Sequence, residues 1–301
     1  MLNLVEWIDT LDKLTDISKI RSLLKQHGFK FTKSLGQNFL INPSVCPKMA
    51  EACGADSKTG VLEIGPGIGV LTRELAARAA HVVAIEIDNR LLPVLSETLE
   101  DVTNTRIIHG DAMETDYQNL IEREFAGLKV AVCANLPYYI TSPIIMHLLE
   151  SRLPVDNITV MVQKETAVRL CSQPGTRECG AISLAVWYYS RPEILFSVSR
   201  GSFMPAPNVD SAVIRLNIHK ATPYEVKSEK LLFCFIRSAF GKRRKTLYNS
   251  LTDTGLAKEQ VGALLDDANV PRTARAEQLT LCEFIRIANL AYDFGFELEK
   301  I

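Results

Sequence analysis

Two short stretches of this 301-residue chain combine residue types and spacing that could do chemistry. The first, E-I-G-P-G-I-G at 63–69, joins an apolar run to a helix-like one. Glycines there let the backbone approach a ligand and leave helix N–H groups open to it. The second, V-C-A-N-L-P-Y-Y at 132–139, ends an apolar run in an amide, a proline and two aromatics. It holds no His, Asp, Glu, Lys or Ser, so chemistry there must rest on hydrogen bonding, alignment and stacking. The bland alternative is a strand end followed by a turn.

Carboxylates stand close to the glycine loop. Glu63 precedes it directly, Glu86 follows 21 residues after Gly65, and Asp111 closes a later apolar run. Glu63 would repel a pyrophosphate and suit a cationic ligand. The loop spacing, G-x-G-x-G, also departs from the G-x-G-x-x-G dinucleotide fingerprint. The carboxylate tilts the reading from a nicotinamide dinucleotide toward S-adenosylmethionine, which is positively charged and carries no phosphate. Glu86 is placed to accept hydrogen bonds from ribose hydroxyls, with Asp88 ranked behind it. Asp111 could accept from an adenine amino group.

These residues need elements to carry them. Strands are predicted at Gly60–Gly65, His81–Asp88, Arg106–Asp111, Lys129–Asn135 and Asn157–Gln163, with helices between them from Leu71, Asn89, Tyr117 and Ser142. Such alternation implies a parallel sheet covered on both faces, whose ligands bind beyond the carboxyl ends of the strands. The first four strands all end in glycine, acid or amide, which a purely structural sheet does not require. Ile182–Tyr189 and Ala212–Ile218 are expected as further strands, flanking the Pro-rich loop F-M-P-A-P-N-V-D at 203–210. Helices are expected from about Val226. The fold class is therefore α/β, with an N-terminal helical lead at 1–33, a central domain at 34–219 and a helical C-terminal domain at 225–301.

Bulk properties narrow the function classes. The chain is 47% hydrophobic, enough to bury a large core, and has no apolar run as long as a membrane span. Its start is acidic and lacks a secretory pattern. The seven cysteines show no C-x-x-C pairs, which argues for a reducing compartment, hence the cytoplasm, and against zinc or a disulfide framework; Cys133 and Cys234 are expected as buried thiols. Net charge is −1, but Lys19, Arg21, Lys25, Lys30 and Lys33 occur without an acid between residues 17 and 35. Arg237, Lys242, Arg243, Arg244 and Lys245 do the same between 231 and 252. Two such patches suggest a polyanionic partner.

S-L-G-Q-N-F-L (34–40), E-I-G-P-G-I-G, E-I-D (86–88), G-D-A (110–112), N-L-P-Y (135–138) and F-M-P-A-P-N-V-D-S-A-V-I-R-L (203–216) occur in this order. The set resembles the ribosomal RNA small-subunit adenine dimethyltransferases over roughly residues 20–250. That resemblance implies a class I methyltransferase domain with a mostly parallel seven-stranded sheet and a small helical C-terminal domain. It implies S-adenosylmethionine held by Asn38, Leu40, Gly65, Glu86, Asp111 and Asn135. It also implies a monomer acting on two adjacent adenosines of a 3′-terminal hairpin loop in 16S rRNA, each methylated twice at N6, within the small subunit or its precursor.

The lone pair of an exocyclic adenine nitrogen is delocalised into the ring, so acceptors aimed at its N–H groups are needed to raise its nucleophilicity. The Asn135 side-chain oxygen and the Leu136 carbonyl are the expected acceptors, with Pro137 fixing where that carbonyl points. Tyr138 and Phe203 are the expected aromatic faces for the unstacked base, and Tyr139 is expected in the core. Lys30, Lys33, Arg243 and Arg244 are the candidate RNA-backbone contacts. Competing readings are a large-subunit RNA methyltransferase of the antibiotic-resistance type, a small-molecule methyltransferase and a noncatalytic assembly factor. The lead before the first basic segment, residues 1–18, has no assigned role.

Overall fold

The computed structural model describes residues 14–32, 36–242 and 244–296. The chain divides into two units: described residues up to 167 together with 193–218, and 168–192 together with 219–296. Segment 168–192, inside the 34–219 stretch, thus clusters with the C-terminal helices.

In the first unit, helix α1 (Ile17–Gln26) is capped by Asp16, whose Oδ1 accepts from the Ser18 and Lys19 amides at 2.7 and 3.3 Å. Ile20 and Leu24, four apart, are its buried positions. Next come β1 (Phe39–Leu40), α2 (Val45–Ala52), β2 (Thr59–Ile64), α3 (Val70–Ala76), β3 (His81–Glu86), α4 (Leu92–Thr98), β4 (Thr105–His109), α5 (Tyr117–Glu124), β5 (Lys129–Asn135), α6 (Thr141–Glu150) and β6 (Asn157–Gln163). After α7 (Lys164–Cys171) and α8 (Ala181–Tyr189) follow β7 (Ser190–Val198), β8 (Phe203–Met204) and β9 (Ser211–Ile218).

Strand order in the large sheet is β4-β3-β2-β5-β6-β9-β7. Strands β2 to β6 pair in parallel and β9 runs antiparallel to β6. Strand β2 is buried along its whole length and β5 at Val130–Ala134, as expected for a sheet covered on both faces. The separate pair β1–β8 sets Phe39 opposite Met204 and Leu40 opposite Phe203.

The expected strand at Ile182–Tyr189 is instead helix α8, and the strand follows it as β7. A-I-S-L-A-V-W-Y-Y is apolar on nearly every side and hides its period, so a buried helix and a buried strand look alike there. At its start the Gly180 amide donates to Ser183 Oγ at 2.9 Å. In the second unit, α9 (Glu229–Gly241), α10 (Leu247–Leu251), α11 (Lys258–Asp267) and α12 (Leu281–Asp293) pack with α8 around Phe235, Leu264, Phe284 and Leu184. Helix α12 opens with a capping box between Thr280 and Glu283.

Candidate active site

Strand order reverses between β2 and β5: β3 and β4 continue one way, β6 the other. Loops leaving the carboxyl ends of β2 and β5 therefore diverge and open a crevice. Gly65, Pro66 and Gly67 line it from the end of β2, Glu86 and Ile87 from β3, Gly110 and Asp111 after β4, and Asn135–Ile140 after β5. Gly36–Leu40 close it from the N-terminal side, with Cys46 and Met49 of α2 also in the wall. Asn38, Leu40, Gly65, Glu86, Asp111, Asn135, Leu136, Pro137 and Tyr138 thus meet in one cavity.

The glycine loop folds against the end of β3. The Gly67 amide donates to Glu86 Oε2 at 3.2 Å, and the Asp88 amide donates to Glu86 Oε1 at 2.9 Å. Gly67 has φ +62°, and a Cβ placed there would stand 3.3 Å from the Phe39 ring, so a side chain would meet both strain and crowding. Glu86 is 5% exposed, and burial raises its pKa. Glu63 is deeper still, at 1% exposed, and its Oε2 has no hydrogen-bond partner among the described residues. Burial, opposed by the neighbouring Thr72 hydroxyl and reinforced by the Glu86 charge, pushes its carboxyl up to about 8.

This donor set can be tested against S-adenosylmethionine. Among the described residues, three carboxylates and no lysine, arginine or histidine line the cavity. A nucleoside diphosphate would find no counter-charge there, whereas a sulfonium with an ammonium group and a ribose diol would. The residues fit.

At the far wall, Asn135 ends β5, with its Nδ2 3.5 Å from the Asn38 carbonyl. Its side-chain nitrogen therefore faces Asn38, leaving the oxygen as acceptor. Tyr138 is partly buried and its hydroxyl lies 2.6 Å from Ser211 Oγ, which pins the ring. Pro137 begins a turn in which its carbonyl accepts from the Ile140 amide and the Thr141 hydroxyl at 3.3 and 3.0 Å.

A family profile described as "Ribosomal RNA adenine dimethylase" matches residues 28–293. The chain belongs to the ribosomal RNA adenine dimethylase family. It is 46% identical to "Ribosomal RNA small subunit methyltransferase A" of Geobacillus sp. (strain WCH70), over 90% of this chain and 95% of that one. It is 47% identical to the protein of the same name from Geobacillus thermodenitrificans, over 90% and 94% of the two chains. Among solved structures, a dimethyladenosine transferase from Plasmodium falciparum aligns with TM-score 0.74 at 25% identity, covering 86% of this chain and 99% of that one. The 23S rRNA methyltransferase ErmE aligns with TM-score 0.66 at 28% identity, covering 84% and 98%. The class I methyltransferase fold expected from sequence is the fold observed, and this adenine dimethylase is an S-adenosylmethionine-dependent enzyme.

Two aromatics stand elsewhere than expected. Phe203 is 3% exposed, pairs with Leu40 and belongs to the core cluster; it is not among the residues lining the cavity. Tyr139, expected in the core, is 58% exposed and lines the cavity. Its ring lies against Gly36, whose φ of +57° brings the backbone close beside it. A single sequence offers no signal for this exchange, because both aromatics sit in apolar surroundings. Lys33 and Arg243 lie outside the described residues. Lys30 and Arg244 are both exposed, as are Lys19, Arg21 and Lys25. In the second patch Lys242 is paired with Asp253 at 2.7 Å, an acid one residue beyond the acid-free window. Cys133 is buried as expected, whereas Cys234 is only partly so. Gln37, in the cavity wall, escaped sequence reasoning, although it lies inside the S-L-G-Q-N-F-L motif.

Proposed function

We propose that the chain transfers methyl groups to N6 of two adjacent adenosines in a 3′-terminal hairpin loop of 16S rRNA, dimethylating each. The observation that carries this is the meeting of Asn135-Leu136-Pro137-Tyr138 with Glu86 and Asp111 in one cavity walled by acids. When bound, S-adenosylmethionine supplies an electrophilic methyl group. Glu86 holds its ribose hydroxyls, Asp111 its adenine, and Asn38, Leu40 and Gly65 the remaining walls. The Asn135 oxygen and the Leu136 carbonyl accept from the target amino group, favouring its pyramidal, nucleophilic form. No residue need remove a proton before attack, since the nitrogen becomes acidic only once methylated. Catalysis is then alignment plus preorganised dipoles. Tyr138 offers the unstacked base an aromatic face. Lys30, Lys33, Arg243 and Arg244 meet RNA phosphates.

A small-subunit substrate is supported by relatives at 43–47% identity named for that subunit, against 28% for the 23S rRNA enzyme. We further place the protein in the cytoplasm as a monomer, acting on the subunit or its precursor. No helix among the described residues is long and apolar enough to cross a membrane.

The test is transfer of labelled methyl from S-adenosylmethionine to 30S particles lacking the modification, with 50S particles as the second arm. The expected product is N6,N6-dimethyladenosine in 16S rRNA. Label appearing only in 50S particles would favour the large-subunit reading, and none in either would overturn methyl transfer to these RNAs.

A further inference from the structure

Gly36–Leu40 wall the cavity; Phe39 and Leu40 are paired with β8, but Gly36–Asn38 lie outside any helix or strand. Between α1, which ends at Gln26, and β1 no described residue is in a helix or strand. Phe29–Thr32 and Gln37 are tied to the turn after β3. Asp88, 5% exposed, is its hub. Its Oδ1 accepts from the Arg90 amide at 3.1 Å and from Arg90 Nε at 2.8 Å. Its Oδ2 accepts from Arg90 Nη2 at 2.6 Å and from Gln37 Nε2 at 2.7 Å. Arg90 then reaches the segment itself: Nη1 donates to the Lys30 carbonyl at 3.2 Å and Nη2 to Thr32 Oγ1 at 2.8 Å. Its guanidinium also lies 5.0 Å from the Phe29 ring centroid. The Phe29 ring is in turn 6.0 Å from that of Phe39, a cavity residue.

The hub is tied to the site at both ends. Through its amide, Asp88 donates to Glu86. Through Gln37 it reaches the segment in which Asn38 approaches Asn135. The Arg90 fork beside Asp88 holds the carboxyl below its usual range, so the acceptor is ionised and its hydrogen bonds are charge-assisted.

We propose that Asp88 and Arg90 are positioning residues: together they clamp Phe29–Thr32 and Gln37 onto the turn after β3, holding the cofactor-facing backbone of Gly36–Leu40 in its binding geometry. This rests on the cofactor assignment above and adds two residues to it. Neither residue lines the cavity, so the clamp acts through Gln37 and the neighbouring backbone. Its signature is a cofactor-binding defect rather than a chemical one.

The experiment is calorimetric titration with S-adenosylhomocysteine of the wild type, Arg90→Gln, Asp88→Asn, Thr32→Val and Gln37→Met, with steady-state kinetics alongside. Arg90→Gln and Asp88→Asn are expected to raise Kd about tenfold, the factor one hydrogen bond to a charged partner supplies. Cofactor KM should rise with Kd while kcat at saturation changes by less than about threefold. Thr32→Val, which removes one acceptor without changing shape, should raise Kd about two- to threefold with thermal stability unchanged. Asp88→Asn and Gln37→Met combined should be no worse than the worse single variant, because both break one path. Wild-type binding with unaltered Kd in all four variants would overturn the clamp, as would strict additivity of the last pair. Failure of the wild type itself to bind S-adenosylhomocysteine would instead overturn the cofactor assignment.

Discussion

Glu63 couples the stability of the protein to pH. Its carboxyl, buried and pushed to about 8, is protonated in the ligand-free protein at neutral pH. Since the folded value lies above the unfolded 4.5, its contribution to stability is complete below pH 4.5 and is lost as pH rises through 8. At neutral pH this costs on the order of 3 kcal/mol. Glu63→Gln should therefore flatten the fall in thermal stability of the ligand-free protein between pH 5 and 8, as measured by scanning calorimetry. A cation bound beside Glu63 favours the ionised form, so S-adenosylmethionine affinity should rise with pH up to about 8 and then level, with proton release below that point. Identical binding enthalpies at pH 7 in buffers of different ionisation enthalpy would contradict this. Asn135 differs in kind, since in the proposed mechanism its amide serves the transition state. Asn135→Ala should lower kcat by roughly 100-fold or more, while S-adenosylhomocysteine and RNA binding stay near wild type; retained turnover would remove Asn135 from its role.

At the scale of elements, two close contacts set how strands meet their neighbours. Gly60 in β2 lies under the Phe125 ring, just after α5, and a Cβ there would stand 2.3 Å from Phe125 Cδ1. Gly60→Ala should cost about 1–3 kcal/mol in urea unfolding, and Phe125→Leu in the same chain should recover part of it. The β1–β8 pair buries Phe203 opposite Leu40. Phe203→Ala should thus behave as a core truncation, losing about 3–5 kcal/mol of stability. An unchanged urea midpoint with impaired turnover would return Phe203 to the base-stacking role expected from its motif. The strand ends were readable because terminal Gly, Glu, Asp and Asn on apolar runs mark them, and the β5 and β6 boundaries coincide with those expected. Helix α8 was not, because uniform burial removes the periodicity that separates helix from strand.

Over the whole molecule, a net charge of −1 conceals basic surfaces in both units. Lys19, Arg21, Lys25 and Lys30 are exposed in the first, and Arg237, Arg244 and Lys245 in the second. Pairing of Lys242 with Asp253 reduces the second patch relative to its sequence count. If Arg244 meets an RNA phosphate, Arg244→Glu should weaken small-subunit binding and lower the slope of log affinity against log salt by about 1. An unchanged slope in filter binding would make Arg244 a solvated surface residue.

Sequence alone determined the parallel α/β domain, the row of polar strand ends and the acid-walled, phosphate-free character of the site. These follow from local pattern: periodicity, terminal residue type and charge near a glycine loop. Tertiary structure decided what depends on packing between distant segments. It buried Phe203 and exposed Tyr139, because β8 pairs with β1 while the turn after Asn135 opens at the divergence of β2 and β5. It joined Asp88 and Arg90 to residues more than 50 positions earlier, because the turn after β3 is where the N-terminal segment crosses the sheet end. It raised the Glu63 carboxyl, because only a folded core buries that side chain.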